Sequence, residues 1–95
     1  MRKYEVVFIF QVLEEEATNA VIAKFENLIT NNGGEIEKLD RWGKKRLAYE
    51  IKDVMDGYYV LATFNAEPAV VKELDRVAKI TEEVLKHMVV KVDEK

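Results

Sequence analysis

The stretch "RWGKKRLAYEI", residues 41–51, decides how this chain is threaded. Upstream of it, Ile36 shares the even-numbered positions with Trp42, whereas Leu47, Tyr49 and Ile51 are odd. Successive side chains of a strand point to opposite faces, so an unbroken strand over 35–51 would separate these two sets. One extra residue near Gly43 restores a single face, and glycine inside a strand often marks such a bulge. Residues 35–51 are therefore predicted as one long strand with a structural kink at Trp42 and Gly43. The same stretch gathers Arg41, Lys44, Lys45 and Arg46 within six positions, in a chain of formal net charge −3. The cluster flanks a bend that projects beyond the sheet, as a solvated turn or as a surface for something anionic.

The neighbouring segments fall into place around that strand. "DVMDG" (53–57) reads as a hairpin turn and "YYVLATFNA" (58–66) as the returning strand. Upstream, residues 14–32 carry Ala17, Val21, Ile22, Phe25, Leu28 and Ile29 on one helical stripe. Glu14, Glu15 and Glu16 complement the positive end of that helix, and "NNGG" (31–34) tolerates the left-handed conformation that ends it. Residues 2–10 alternate as a strand whose two parities both turn apolar after Glu5. Downstream, Pro68 opens a second helix with Asn65 as a candidate cap, and Val70, Val71, Leu74, Val77 and Ala78 form its buried stripe. "VLKHMVVKV" (84–92) is the last strand.

The order βαββαβ is that of a split βαβ, an α+β ferredoxin-like sandwich. Right-handed crossovers place both helices on one face of a four-stranded antiparallel sheet, with the first and last strands adjacent. The other face has no helix to cover it, yet every strand carries apolar or aromatic residues at both parities. Such a face commonly meets a partner. Ninety-five residues without a linker or low-complexity segment read as a single domain, 1–95.

Composition narrows the function. The chain lacks both Cys and Ser, so disulfides, thiolate metal sites and the commonest nucleophiles are out of reach. The absence of Cys fits a reducing cytoplasm. The apolar run after Met1 is broken by Glu5 and followed by Glu14–Glu16, unlike a signal peptide. No stretch approaches the roughly 20 apolar residues of a membrane span. The only histidine, His87, lies in the last strand and is expected as a packed or edge residue. With no metal-ligand spacing and no phosphate-cradling loop, the chain is expected to be no enzyme and to hold neither metal nor cofactor.

Nor does the sheet carry the aromatic code of common RNA-binding domains. "DGYYVLATF" (56–64) opens with Asp56 and puts Tyr59 where a small residue belongs, and Tyr58 and Phe64 are expected in the core. Local cations remain: Arg2 and Lys3 on the first strand, Lys86 and Lys91 on the last. Neighbouring strands would bring these toward a common phosphate-contacting surface.

Three stretches, "MRKYE" (1–5), "WGKKRLAYEI" (42–51) and "VLKHMVVK" (84–91), with "GYYVL" (57–61) between them, resemble the bacterial ribosomal protein S6 family over essentially the whole chain. The chain departs from many members in having Gln11 rather than Pro after the first strand, and from others in lacking a long charged tail. The resemblance implies a structural constituent of the small ribosomal subunit, acting on the ribosome in the cytoplasm. It further implies pairing with ribosomal protein S18 and binding to the central domain of small-subunit ribosomal RNA, in the platform. By position it implies RNA contact at Arg2 and Tyr4, then at Lys86 and Lys91. Arg41, Lys44, Lys45 and Arg46 would contact phosphate or form a polar rim with the partner. Trp42 would pack at the kink rather than stack on a base. The rival reading is a ferredoxin-like regulatory module that homodimerises through its open sheet face and binds a small ligand, which leaves the 41–46 cluster unexplained. An acylphosphatase-like enzyme would need a phosphate-cradling loop after the first strand, where "FIFQVLEEE" supplies acids.

Overall fold

Alternation builds the core from its first strand. In β1 (Arg2–Phe10), Tyr4, Val6, Phe8 and Phe10 are buried on one side while Lys3, Glu5 and Val7 on the other stay partly open. The computed structural model, which describes residues 1–92, continues with α1 (Glu15–Asn31), β2 (Glu35–Ile51), β3 (Val54–Ala66), α2 (Pro68–Ile80) and β4 (Val84–Lys91). The strands form one antiparallel sheet in the order β2-β3-β1-β4, the ferredoxin-like arrangement, with β1 and β4 adjacent. Both helices pack on the face that carries Tyr4, Val6, Phe8 and Phe10.

An aromatic cluster joins this face to α1. The Phe25 ring lies 4.7 Å from Phe8 and 6.1 Å from Phe10, while Phe8 and Phe10 stack at 5.1 Å. Each such side chain removed from water contributes about 1.5–3 kcal/mol. On α1 the stripe runs through Thr18, Val21, Ile22, Phe25 and Ile29, so Thr18 rather than Ala17 takes the first buried turn. Its hydroxyl donates to the Glu14 carbonyl at 3.0 Å, which makes burial of the polar group tolerable. The helix ends in a Schellman arrangement: Gly33 at φ +85° donates to Thr30 O, and Gly34 donates to Ile29 O at 2.8 Å. On α2, Val70, Leu74 and Ala78 are buried, flanked by Val71 and Val77. Asn65 does not cap that helix. Its side chain turns away to donate to Glu37, and Glu67 takes the cap position without a side-chain bond.

β2 carries the decisive irregularities. Its register against β3 slips between Arg41 and Gly43, leaving Trp42 as the extra residue, with Gly43 at φ +86°. The kink therefore unites Trp42 with Leu47 on the face away from the helices. A second slip between Ile36 and Lys38 corrects the expectation that Ile36 shares this face. The extra residue Glu37 reverses the parity again, so Ile36 and Leu39 pack into the helix-side core while Leu47 and Ile51 pack on the opposite side with Ile9, Leu85 and Tyr59.

The hairpin turn is also narrower than "DVMDG". Ile51 pairs with Val54, so Lys52 and Asp53 alone make the turn, at φ +49° and +64°. Two consecutive left-handed residues match the twist of the flanking strands, at a cost of roughly 1–2 kcal/mol per non-glycine residue. Gly57 is instead a buried strand residue, and a Cβ there would run into the Ile9 side chain and lie 3.2 Å from Leu47 Cδ2. Gly57→Ala is expected to lower stability by roughly 1–3 kcal/mol, because the β-branched Ile9 cannot swing aside. Urea denaturation checks it, and an unchanged midpoint would show that the sheet accommodates the methyl.

Candidate assembly surface

The face without helices is apolar at its centre. Val7 and Leu61 lie across β1 and β3, and Met88, paired with Val7, extends the strip onto β4. Met88 and Val90 are 53% and 51% exposed. At one end of the strip Trp42, 47% exposed, lies nearly parallel to Tyr59 with ring centroids 6.4 Å apart. The opposite end carries Glu5 and Glu37, with Lys3 bridged to Glu37 at 3.2 Å. The Glu37 carboxyl is held below its ordinary value, first by the hydrogen bond from Asn65 and then by Lys3.

Beyond Phe10, where β1 stops pairing with Tyr58, the β2–β3 hairpin continues and curls across the end of this face. Leu47 is buried against Ile9 and Leu85, and Lys52 Nζ donates to the Val84 carbonyl at 3.1 Å. Lys86 Nζ donates to the Tyr49 hydroxyl at 3.0 Å. The hairpin thus spans the sheet from β3 to β4 without forming a strand pair there.

The four cations of 41–46 do not form one patch, because the strand alternates beneath them. Arg41, opposite Val60, points to the helix side, where its Nη1 donates to Asn19 Oδ1 at 2.6 Å. Lys44, opposite Tyr58, lines a recess with Gln11, Val12, Val54 and Met55. Lys45 turns to the open face, 5.3 Å from the Trp42 ring centroid, and Arg46 lies opposite Asp56. All four are exposed. Trp42 is held between Tyr59 and Lys45 at the kink.

The other cations divide between the faces too. Arg2 and Lys91 are exposed, at the end of β1 and β4 where β3 leads into α2, and both lie on the helix-side parity. Lys86 is opposite Ile9 on the open face, at the far end of the sheet beside the hairpin. Tyr4 lies in the core, 7% exposed, with its ring 5.7 Å from Phe64. Even numbering had placed Tyr4 with Val6 and Phe8, which is the signal of a buried position. Sequence reasoning also missed Tyr49, because its bond partner Lys86 is 37 positions away.

His87, opposite Phe8, faces α2, and its Nε2–H donates to Asp75 Oδ1 at 2.6 Å. Lys79 bridges the other oxygen at 3.0 Å. Among the described residues no group of three or more His, Asp or Glu side chains is arranged to hold a metal ion.

Such a domain is a split βαβ sandwich with a broad, partly apolar open sheet face, framed by separate groups of cations. The model of the ribosomal protein S6 family matches residues 3–91. Small ribosomal subunit protein bS6 of Moorella thermoacetica is 50% identical over 95 residues, covering 99% of this chain and 97% of the relative's. Its counterpart in Clostridium kluyveri is 55% identical and covers both chains completely. The crystal structure of 30S ribosomal protein S6 from Thermotoga maritima superposes with a TM-score of 0.90 at 27% identity, over 96% of this chain and 87% of that one. The C-terminal domain of MgtC from Mycobacterium tuberculosis shares the fold alone, with a TM-score of 0.69 at 15% identity over 97% of this chain and 88% of that one. The chain belongs to the ribosomal protein S6 family, a constituent of the small ribosomal subunit.

One contact between helix and sheet has a pH signature. The hydrogen bond from His87, and secondly that from Lys79, hold the Asp75 carboxyl below its ordinary 3.8. A depressed carboxyl stabilises the fold above its unfolded value, and that contribution is lost as pH falls through the lower folded value. Asp75→Asn is therefore expected to melt below the parent at about pH 5.5, with a smaller gap at about pH 2.5 as the carboxyl takes up its proton. Parallel melting curves at both values would remove the pair from the stability of the α2–β4 contact.

Proposed function

We propose that this chain binds the central domain of small-subunit ribosomal RNA, in the platform, together with ribosomal protein S18. Residues 1–95 act as one domain, and the role is architectural. The observation that carries this reading is the juxtaposition of an uncovered apolar strip, Val7, Leu61, Met88 and Val90, with exposed cations at both ends of the sheet. The apolar strip suits a protein partner, since exposed apolar area of this kind is covered in assemblies. The cations suit phosphates.

Charge explains why two proteins are needed. A chain of net charge −3 gains little from long-range attraction to RNA. Docked on a basic partner, its local cations join a larger positive surface, and the two weak sites reinforce each other through effective concentration. Each phosphate neutralised releases counterions, so affinity falls as salt rises. Arg2 and Lys91 serve one RNA contact region and Lys86 another. Arg41, Lys44, Lys45 and Arg46 serve as phosphate contacts or as a polar rim to the partner, with the two faces of β2 dividing those tasks. Tyr4 contributes by anchoring β1 beneath Arg2.

The test is a salt titration of a central-domain RNA fragment with this protein, with S18 and with both. Weak binding by either alone and tight, salt-sensitive binding by the pair is expected. Arg2→Ala should weaken the pair several-fold and flatten the slope of log affinity against log salt by roughly 0.7–0.9, the loss of one phosphate contact. Equal affinity with and without S18 would overturn the cooperative reading.

A further inference from the structure

The hairpin turn is strained, and its tip is tied down where it makes no strand pair. Lys52 and Asp53 occupy the left-handed region, which only glycine adopts freely. Such backbone persists where surrounding contacts over-determine it. Leu47 on Ile9 and Leu85, Lys52 on the Val84 carbonyl, and Lys86 on the Tyr49 hydroxyl supply those contacts. All three reach the start of β4.

The last of them has unused chemistry. An ammonium carries three N–H donors and no acceptor, and a phenol oxygen that accepts a bond keeps its own O–H. After bonding to each other, Lys86 and Tyr49 retain two N–H donors, one O–H donor and a positive charge. The ammonium also sits 5.6 Å from the Tyr49 ring centroid, and Tyr49 is 58% exposed. Tyr49 raises the Lys86 pKa, chiefly through that hydrogen bond, so the charge is secure. On the same hairpin Lys45 turns to the open face and Lys52 reaches across to Val84, which adds positive charge on this side of the sheet. Neither Lys86 nor Lys52 is bridged to a carboxylate among the described residues.

The geometry points to Tyr49 and Lys86 as a paired-donor seat for one phosphate of the RNA backbone, with Lys52 as the strap that holds the hairpin over β4. This rests on the RNA-binding reading above and adds Tyr49 as a direct contact and Lys52 as a positioning residue. Tyr49→Phe keeps the ring beside the ammonium but removes both the acceptor for Lys86 and the O–H donor. In complex with S18 it should bind central-domain RNA about tenfold more weakly, with an unchanged salt slope because no charge is lost. Lys86→Ala should flatten the slope by roughly 0.7–0.9. Lys52→Met should weaken binding and speed amide exchange at residues 47–54. Parent-like affinity in Tyr49→Phe, with parent-like melting, would overturn the seat. Failure of the unmodified complex to bind RNA at all would instead overturn the reading beneath it.

Discussion

A β-strand sends alternate side chains to opposite faces, and β2 must serve two apolar surfaces that lie on opposite sides of the sheet. Ile36 and Leu39 belong to the helix-side core, while Leu47 and Ile51 belong to the small cluster around Ile9 and Leu85. The bulges at Glu37 and Trp42 let one strand of 17 residues do both. Without the slip at Trp42, Leu47 would leave Ile9 and the hairpin would lose its seat. The open face, its cations and the strap over β4 all inherit their geometry from that slip.

The two apolar clusters have different work. The helix-side cluster, centred on Phe8, Phe10, Phe25 and Phe64, is closed and sets the stability of the sandwich. The cluster of Ile9, Leu47 and Leu85 is small, with the partly buried Ile51 and Tyr59 packed against it. It holds a surface in shape more than it adds to the core. Gly57 lets the hairpin approach β1 closely enough for Leu47 to reach it.

Much of this was legible in the residues. The helical stripes, the Gly33 termination, the kink at Gly43 and the adjacency of β1 and β4 follow from periodicity and connection rules that act locally. The S6 resemblance was carried by "WGKKRLAYEI" and the first five residues, and the family match spans residues 3–91. What escaped depends on contacts distant in sequence. The Glu37 bulge has no glycine to announce it; it accompanies a bond from Asn65 and a bridge from Lys3. The turn lies at Lys52–Asp53 because the hairpin is tied to Val84, and no local residue preference favours left-handed Lys. Whether the cations of β1, β4 and the 41–46 bend share one surface was left open by the sequence, because that depends on where the bulges at Glu37 and Trp42 shift the parity of β2. Arg2 and Lys86 proved to lie at opposite ends of the sheet.

The strand order also sets an order of events during synthesis. β2 and β3 are joined by two residues, whereas Tyr4 pairs with Lys91 across almost the whole length of the chain. Loop closure of that span is entropically the slowest pairing in the sheet. β4 supplies Met88, Val90 and Lys86, and it is made after every other strand. A nascent chain therefore shows only the Val7 and Leu61 part of the apolar strip, and no seat for the hairpin strap, until β4 has emerged and added to β1. The open face is finished last, so a copy that stops short of β4 lacks Met88, Val90 and Lys86 from it.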